Sequence, residues 1–170
     1  MARPDPALLD PARYPFRCRI APRFIDLDLN MHVNNVAMCG LLQEARVHFH
    51  AASKYHDAVA GMTSMAASFA VEYLGEAHYP QEIDFCVAAS AVGRTSHTLA
   101  QLALQDGRPV AWAQAVIVTI DDGRPTPHSA QFLDQNTHWM LQSCAPPPPT
   151  APRPIWAVRA RRGPRPAGPP

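Results

Sequence analysis

Residues 26–35 read DLDLNMHVNN, which sets two carboxylates, three amides and a histidine just ahead of a long amphipathic run. A carboxylate beside the start of a helix can do chemistry. The first backbone N–H groups of a helix have no intrahelical partner and carry the positive end of its dipole, so they can polarise a carbonyl oxygen. An acid placed there can attack the carbonyl carbon or deprotonate a water beside it. A helix cap needs one Asx residue. This segment supplies Asp26, Asp28, Asn30, His32, Asn34 and Asn35, a density of polar groups that capping alone does not ask for.

The elements that must position these residues follow from periodicity. Residues 35–52 are the expected helix, because Met38, Leu41, Leu42, Ala45, Phe49 and Ala52 recur at spacings of three and four. Asn34 or Asn35 is its expected cap. Gly40 costs helix stability, and close approach of another backbone would justify it. Residues 16–25 have the character of a first strand, with Pro22 marking an edge or bulge. Four further strand-like runs follow the helix, at 68–77, 82–92, 96–105 and 110–120. In the second of these, Ile83, Phe85, Val87, Ala89 and Ala91 fall on one face. Asp106-Gly107 is a two-residue hairpin signal between the last two. A short terminal helix is expected within 127–141. Consecutive hairpins and one long helix predict an α+β domain, the helix packed on a five-stranded antiparallel sheet. The other sheet face is also apolar, with Trp112 on it, which predicts burial against a partner chain.

From Ala145 onward the chain changes character: ten of its nineteen prolines and five of its arginines fall there, with no acidic residue. Such proline density excludes helix and central strand, so 145–170 is expected to be a disordered tail, with 1–15 an N-terminal extension and 16–144 the folded domain. Without the tail, ten basic residues stand against fourteen acidic ones, a formal charge near −4 that is not the footprint of a nucleic-acid-binding domain. No long apolar run suggests a membrane segment. Cys18, Cys39, Cys86 and Cys144 are far apart, with no CxxC pairing and no His at ligand spacing. Reduced thiols, no bound metal, no cofactor and a cytoplasmic location are the expectations. His48 and His50, two apart on a helix, point to different faces and do not make a ligand pair.

These residues resemble a known family, the hotdog thioesterases of the 4-hydroxybenzoyl-CoA and acyl-ACP type. RFIDLDLNMHVNNVAM, beginning at Arg23, is similar to that family's Arg-aromatic-x-Asp-x-Asp followed by His-Val-Asn-Asn at the helix start, and EAR at 44–46 stands where many members have EEAR. VEYLGEAHYPQEIDF, VGRTSHTL and GRPVAWAQAVIVTID follow the family's order of strands. The resemblance covers residues 16–127 and implies a single hotdog domain. By position it puts Asp28 where the family has its nucleophile or general base, with Asn30 and His32 in supporting catalytic roles like those of the plant acyl-ACP enzymes. The backbone N–H groups of Asn34 and Asn35 are then the expected oxyanion donors. Met38, where many bacterial members have Tyr, is expected at the acyl pocket, and Arg94, Thr95 and Ser96 near phosphate or pantetheine. The Glu-Cys pair that the plant enzymes carry before a Gly-Arg is here Ala91-Val92.

The implied activity is hydrolysis of an acyl thioester of coenzyme A or of acyl carrier protein, by a homodimer or a multiple of it. Two alternatives stay open. One is a hotdog dehydratase or hydratase, which needs a different signature around the helix. The other is an acyl-binding protein without catalysis, favoured by Met38 and the missing Glu-Cys pair and opposed by the retention of Asp28 with Asn30 and His32.

Overall fold

The computed structural model describes residues 4–59 and 61–143, so the tail expected from Ala145 lies outside the described residues. Helix α1, Asn35–Ala52, forms where the three-and-four spacing places it. It starts on the expected cap, the Asn34 side chain accepting the Ala37 N–H at 2.8 Å. Its buried stripe is Met38, Leu41, Leu42, Ala45, Arg46 and Phe49. This stripe meets the inward residues of the sheet, among them Ile83, Phe85, Val87, Leu99, Ala113 and Ile117, in one continuous core.

The sheet consists of β1 (Phe16–Ile20), β2 (Thr63–Tyr73), β3 (Ile83–Val92), β4 (Ser96–Gln105) and β5 (Arg108–Asp121), with a two-residue β6 (Arg124–Pro125). All pairings are antiparallel, in the order β1-β3-β4-β5-β2, with β6 on β5. One long helix held in a curled antiparallel sheet is the hotdog arrangement that the resemblance implies. The β4–β5 hairpin turns on Asp106 and Gly107 with φ of 51° and 74°, the left-handed pair a two-residue turn demands. A short helix α2 (Tyr55–Ala58) follows α1, and the terminal helix α3 spans only Ala130–Thr137.

Three expectations are corrected. β1 ends at Ile20 rather than near 25, because Pro22 cannot donate to a ladder and residues Phe24–Asp26 close a 3-10 turn instead. β2 starts at Thr63 and ends at Tyr73, earlier than expected at both ends, with a bulge between Ala66 and Ser68. The chain then leaves the ladder, the N–H groups of Leu74 and Gly75 both going to the Val110 carbonyl. On β3 the inward alternation holds through Ala89, and a bulge there turns Ala91 outward.

The outer sheet face is covered in part by the chain itself. Tyr14, Leu9 and Leu141 pack there with Cys86, Ala88, Leu102, Leu104 and Trp112. The Tyr14 hydroxyl donates to the Leu8 carbonyl at 2.7 Å and accepts the Trp112 indole N–H at 3.2 Å. Burial pushes its pKa up to about 12, which keeps it a donor. Inside the core, the Arg46 guanidinium donates to the Gln101 side-chain carbonyl at 2.8 Å and lies 4.5 Å from the Phe69 ring centroid. The Gln101 amide in turn donates to the Leu42 carbonyl at 2.7 Å, so one buried polar chain fastens α1 to β4. Cys18, Cys39 and Cys86 are free thiols. Among the described residues no helix is long and apolar enough to cross a membrane.

Candidate active site

The loop between β1 and α1 is built by its own polar groups. Asp26 is buried, and both of its carboxylate oxygens are engaged by Arg23: Oδ1 by the guanidinium at 2.8 Å, Oδ2 by the Arg23 backbone N–H at 2.7 Å and Nε at 3.2 Å. That hydrogen bonding holds the Asp26 pKa below its ordinary value. The Asp26 carbonyl accepts both the backbone N–H of Asn34, at 2.9 Å, and its side-chain amide, at 3.0 Å. Asp26 and Asn34 thereby pin the loop to the helix start. Much of the polar density that capping alone left unexplained is this clamp.

Asp28 is placed differently. Its Oδ1 accepts the backbone N–H groups of Asn30, at 2.8 Å, and His32, at 3.2 Å, while Oδ2 has no protein partner among the described residues. The turn closes through Asp28 N–H to the His32 carbonyl and Met31 N–H to the Asp28 carbonyl, with Met31 in the left-handed region at φ 63°. Leu29, Asn30 and Met31 are exposed at its tip. The structure thus brings Asn30 and His32 to Asp28 through their backbone N–H groups, not through amide and imidazole. The His32 ring turns instead to Glu76, with Nε2 3.3 Å from Oε2, and packs edge to face on His78 at 4.9 Å.

Of the two expected oxyanion donors, the Asn34 N–H is already engaged by the Asp26 carbonyl and is not available to a ligand. The N–H groups of Asn35 and Val36, the first two positions of α1, have no protein partner among the described residues, and both residues are exposed. Tyr73 at the end of β2 holds this helix start, donating to the Asn35 carbonyl at 2.9 Å. A groove of about 570 Å³ runs along the same turns, lined in part by Ile20, Asp26, Val36, Ala37, Gly40 and Glu44. A Cβ on Gly40 would meet nothing within 4 Å, so among the described residues no backbone outside its own helix approaches it.

The other expected site residues lie elsewhere. Met38 is buried in the helix–sheet core and does not line this groove. Arg94 and Thr95 lie in the β3–β4 turn and Ser96 opens β4, whereas the Asp28 loop follows β1, whose Ile20 pairs with Ile83 at the other end of β3. A strand of ten residues is about 30 Å long at the usual rise of about 3.3 Å per residue, so within one chain the two lie at opposite ends of the sheet.

Tyr73, Glu76, His78 and the Val36 N–H escaped the sequence reading. Helix numbering from the Asn34 cap would have found Val36. The rest depend on how residues 73–78 pass the helix start, which no local pattern carries.

Comparison with known proteins identifies the chain's kin. The model of the thioesterase-like superfamily matches residues 22–149. The chain belongs to this superfamily. Its match takes in the Asp28 loop, the helix and every strand after it. No curated protein sequence matches this thioesterase-like chain. Among solved structures it is similar to a thioesterase from Thermus thermophilus complexed with coenzyme A and Zn, at 26% identity and a TM-score of 0.65, over 73% of this chain and 93% of that one. A structure described as a predicted thioesterase from Bacillus stearothermophilus shares the fold at 21% identity and a TM-score of 0.69, over 76% and 98% of the two chains. Family and fold support thioester hydrolysis as the general chemistry of this thioesterase-like protein.

Proposed function

We propose that the protein hydrolyses an acyl thioester of coenzyme A, with Asp28 as nucleophile or general base. The observation that carries this reading is the state of the Asp28 carboxylate: one oxygen is fixed by two backbone N–H groups and the other is open. The Asp26–Asn34 clamp closes the loop that carries Asp28 and leads directly into Asn35, the first residue of α1. In this reading the thioester oxygen takes the N–H groups of Asn35 and Val36, each such donor being worth on the order of 3 kcal/mol in the transition state. Asp28 Oδ2 then either attacks the carbonyl carbon, the thiolate leaving and a water afterwards cleaving the acyl-aspartyl anhydride to free acid, or deprotonates a water that attacks, the tetrahedral intermediate collapsing to the acid and the thiolate. The coenzyme A of the Thermus thermophilus neighbour makes this carrier the first to test. Acyl carrier protein presents the same kind of thioester and is the alternative.

Incubating the protein with a panel of acyl-CoAs and acyl carrier proteins beside a thiol-trapping dye tests the reading. Release of free thiol is the expected result. Double-bond formation or hydration would assign a dehydratase instead, and substrate binding without turnover a binding protein.

The site as described is half of a larger one. β2 is an edge strand of eleven residues whose first six residues are all exposed, including Met65. Its sequence, TSMAASFAVEY, has no proline and no Lys or Arg, the usual guards of an open edge. A second copy pairing antiparallel along β2 would remove that edge. It would also set the Thr63 end of one copy beside the Tyr73 end of the other, and with it the partner's Arg94–Ser96 turn on the side of the Asp28 loop. Light scattering is expected to report about twice the 18.6 kDa chain mass, or a multiple of that dimer. An active species that stays monomeric at assay concentration would sink the shared site.

A further inference from the structure

We propose that His32, Glu76 and His78 form a binding site for a divalent transition cation of the zinc class. One ligand atom from each, two imidazole nitrogens and a carboxylate oxygen, lies within 4.8 Å of the others. Zinc holds nitrogen and oxygen ligands at about 2.0 to 2.2 Å, so two ligands of one tetrahedral ion stand about 3.4 Å apart. His32 Nε2 and Glu76 Oε2 are already 3.3 Å apart. His78 needs only to close the remaining gap, which a rotation of an exposed side chain provides. Two imidazoles and one carboxylate select zinc and its first-row neighbours over magnesium or calcium, which prefer oxygen alone.

The backbone holds the three residues in place. His32 and His78 face each other across an isolated antiparallel bridge, continued by the Val33 N–H on the Ala77 carbonyl at 2.8 Å. Glu76 and His78 stand on either side of Ala77, which is buried, so in this extended stretch both side chains turn outward together. His78 is fixed from behind by the buried Gln105 side chain, which accepts its N–H and donates to its carbonyl, both at 2.8 Å. Positions 32 and 78 are far apart in sequence, and the pairing is set by tertiary structure. Three protein ligands leave a fourth coordination position open, as in sites that take up water or substrate. A bound ion would tie the loop carrying Asp28 to the segment following β2.

The cation site stands independently of the hydrolytic reading, and its test needs no substrate. Tag-free, metal-free, full-length protein is titrated with Zn²⁺ against a chromophoric chelator, and with Co²⁺ while its visible d–d absorption is followed. One ion per chain and a raised melting temperature in Zn²⁺ are expected. His78→Ala and Glu76→Gln, both at exposed positions, should each weaken uptake by a factor of about a hundred or more and leave the metal-free melting temperature in place. Failure of the wild type to take up stoichiometric Zn²⁺ would reduce the cluster to a His–Glu contact and overturn the site. Uptake unchanged in both variants would place the metal on thiols or other histidines and overturn it as well.

Discussion

Asp28→Asn is expected to lower kcat for thiol release by a factor of about a hundred or more, close to 3 kcal/mol of transition-state stabilisation, with the fold intact. The reason lies in how the side chain is held. Oδ1 accepts two backbone N–H groups, and an asparagine can present its carbonyl oxygen to the same two donors, so the turn from Asp28 to His32 persists. What changes is the open oxygen, which becomes an amide that can neither attack a carbonyl nor take a proton. Asp26→Asn should act in the opposite way. Its carboxylate is engaged on both oxygens by Arg23, so its loss weakens the clamp and lowers the melting temperature while costing far less in kcat. Steady-state kinetics and thermal melts on both variants separate the two roles. Equal loss of activity in the pair, or near wild-type turnover in Asp28→Asn, would show that the catalytic acid is misassigned.

Stability is expected to fall as the solution is acidified from about pH 7 to about pH 4.5, and His97 is the largest identifiable cause. The ring is buried at 2% exposure between Tyr55 and Phe132, with His50 and His128 beside it, and its Nδ1 has no hydrogen-bond partner among the described residues. Burial, reinforced by the two neighbouring histidines, drives its pKa down to about 3. Above the ordinary histidine value of about 6.5, folded and unfolded chains both hold this ring neutral and it adds no pH dependence. Below that value the unfolded chain takes up a proton that the folded chain refuses until about pH 3, so folding loses about 1.4 kcal/mol per pH unit. At about pH 4.5 the loss reaches about 3 kcal/mol. Burial also lowers the pKa of His128, whose Nδ1 lies 3.2 Å from the Thr119 hydroxyl, and this acts with the same sign. Denaturant melts across this range should show the slope in the wild type and a flatter one in His97→Phe. Identical slopes would exonerate His97. This ring pairs with Val92 and Ile117 at the far end of the sheet from Asp28, so Asp28→Asn should leave the slope alone.

The sequence by itself determined the helix, its cap and the β4–β5 hairpin, because these rest on local causes, whereas the pairing of β2 with β5 instead of β3 did not follow from the order of the runs. Spacings of three and four place Met38, Leu42, Ala45 and Phe49 on one stripe, Asn34 supplies a cap oxygen three residues before Ala37, and Asp106-Gly107 accepts the left-handed turn. The proposed preference for Asp28 over Asp26 rests in the sequence on a resemblance alone. Packing distinguishes the two, since Asp26 is buried against Arg23 and Asp28 is left with an open oxygen. Only the tertiary structure decided the rest. Whether the Asn34 N–H could serve a ligand depended on where the Asp26 carbonyl came to lie. Whether Arg94–Ser96 lies near Asp28 within one chain depended on the direction and length of β3, which sets them at opposite ends of the sheet. The meeting of His32 with Glu76 and His78 joins segments more than forty residues apart in the chain, which neither local propensity nor motif spacing can encode.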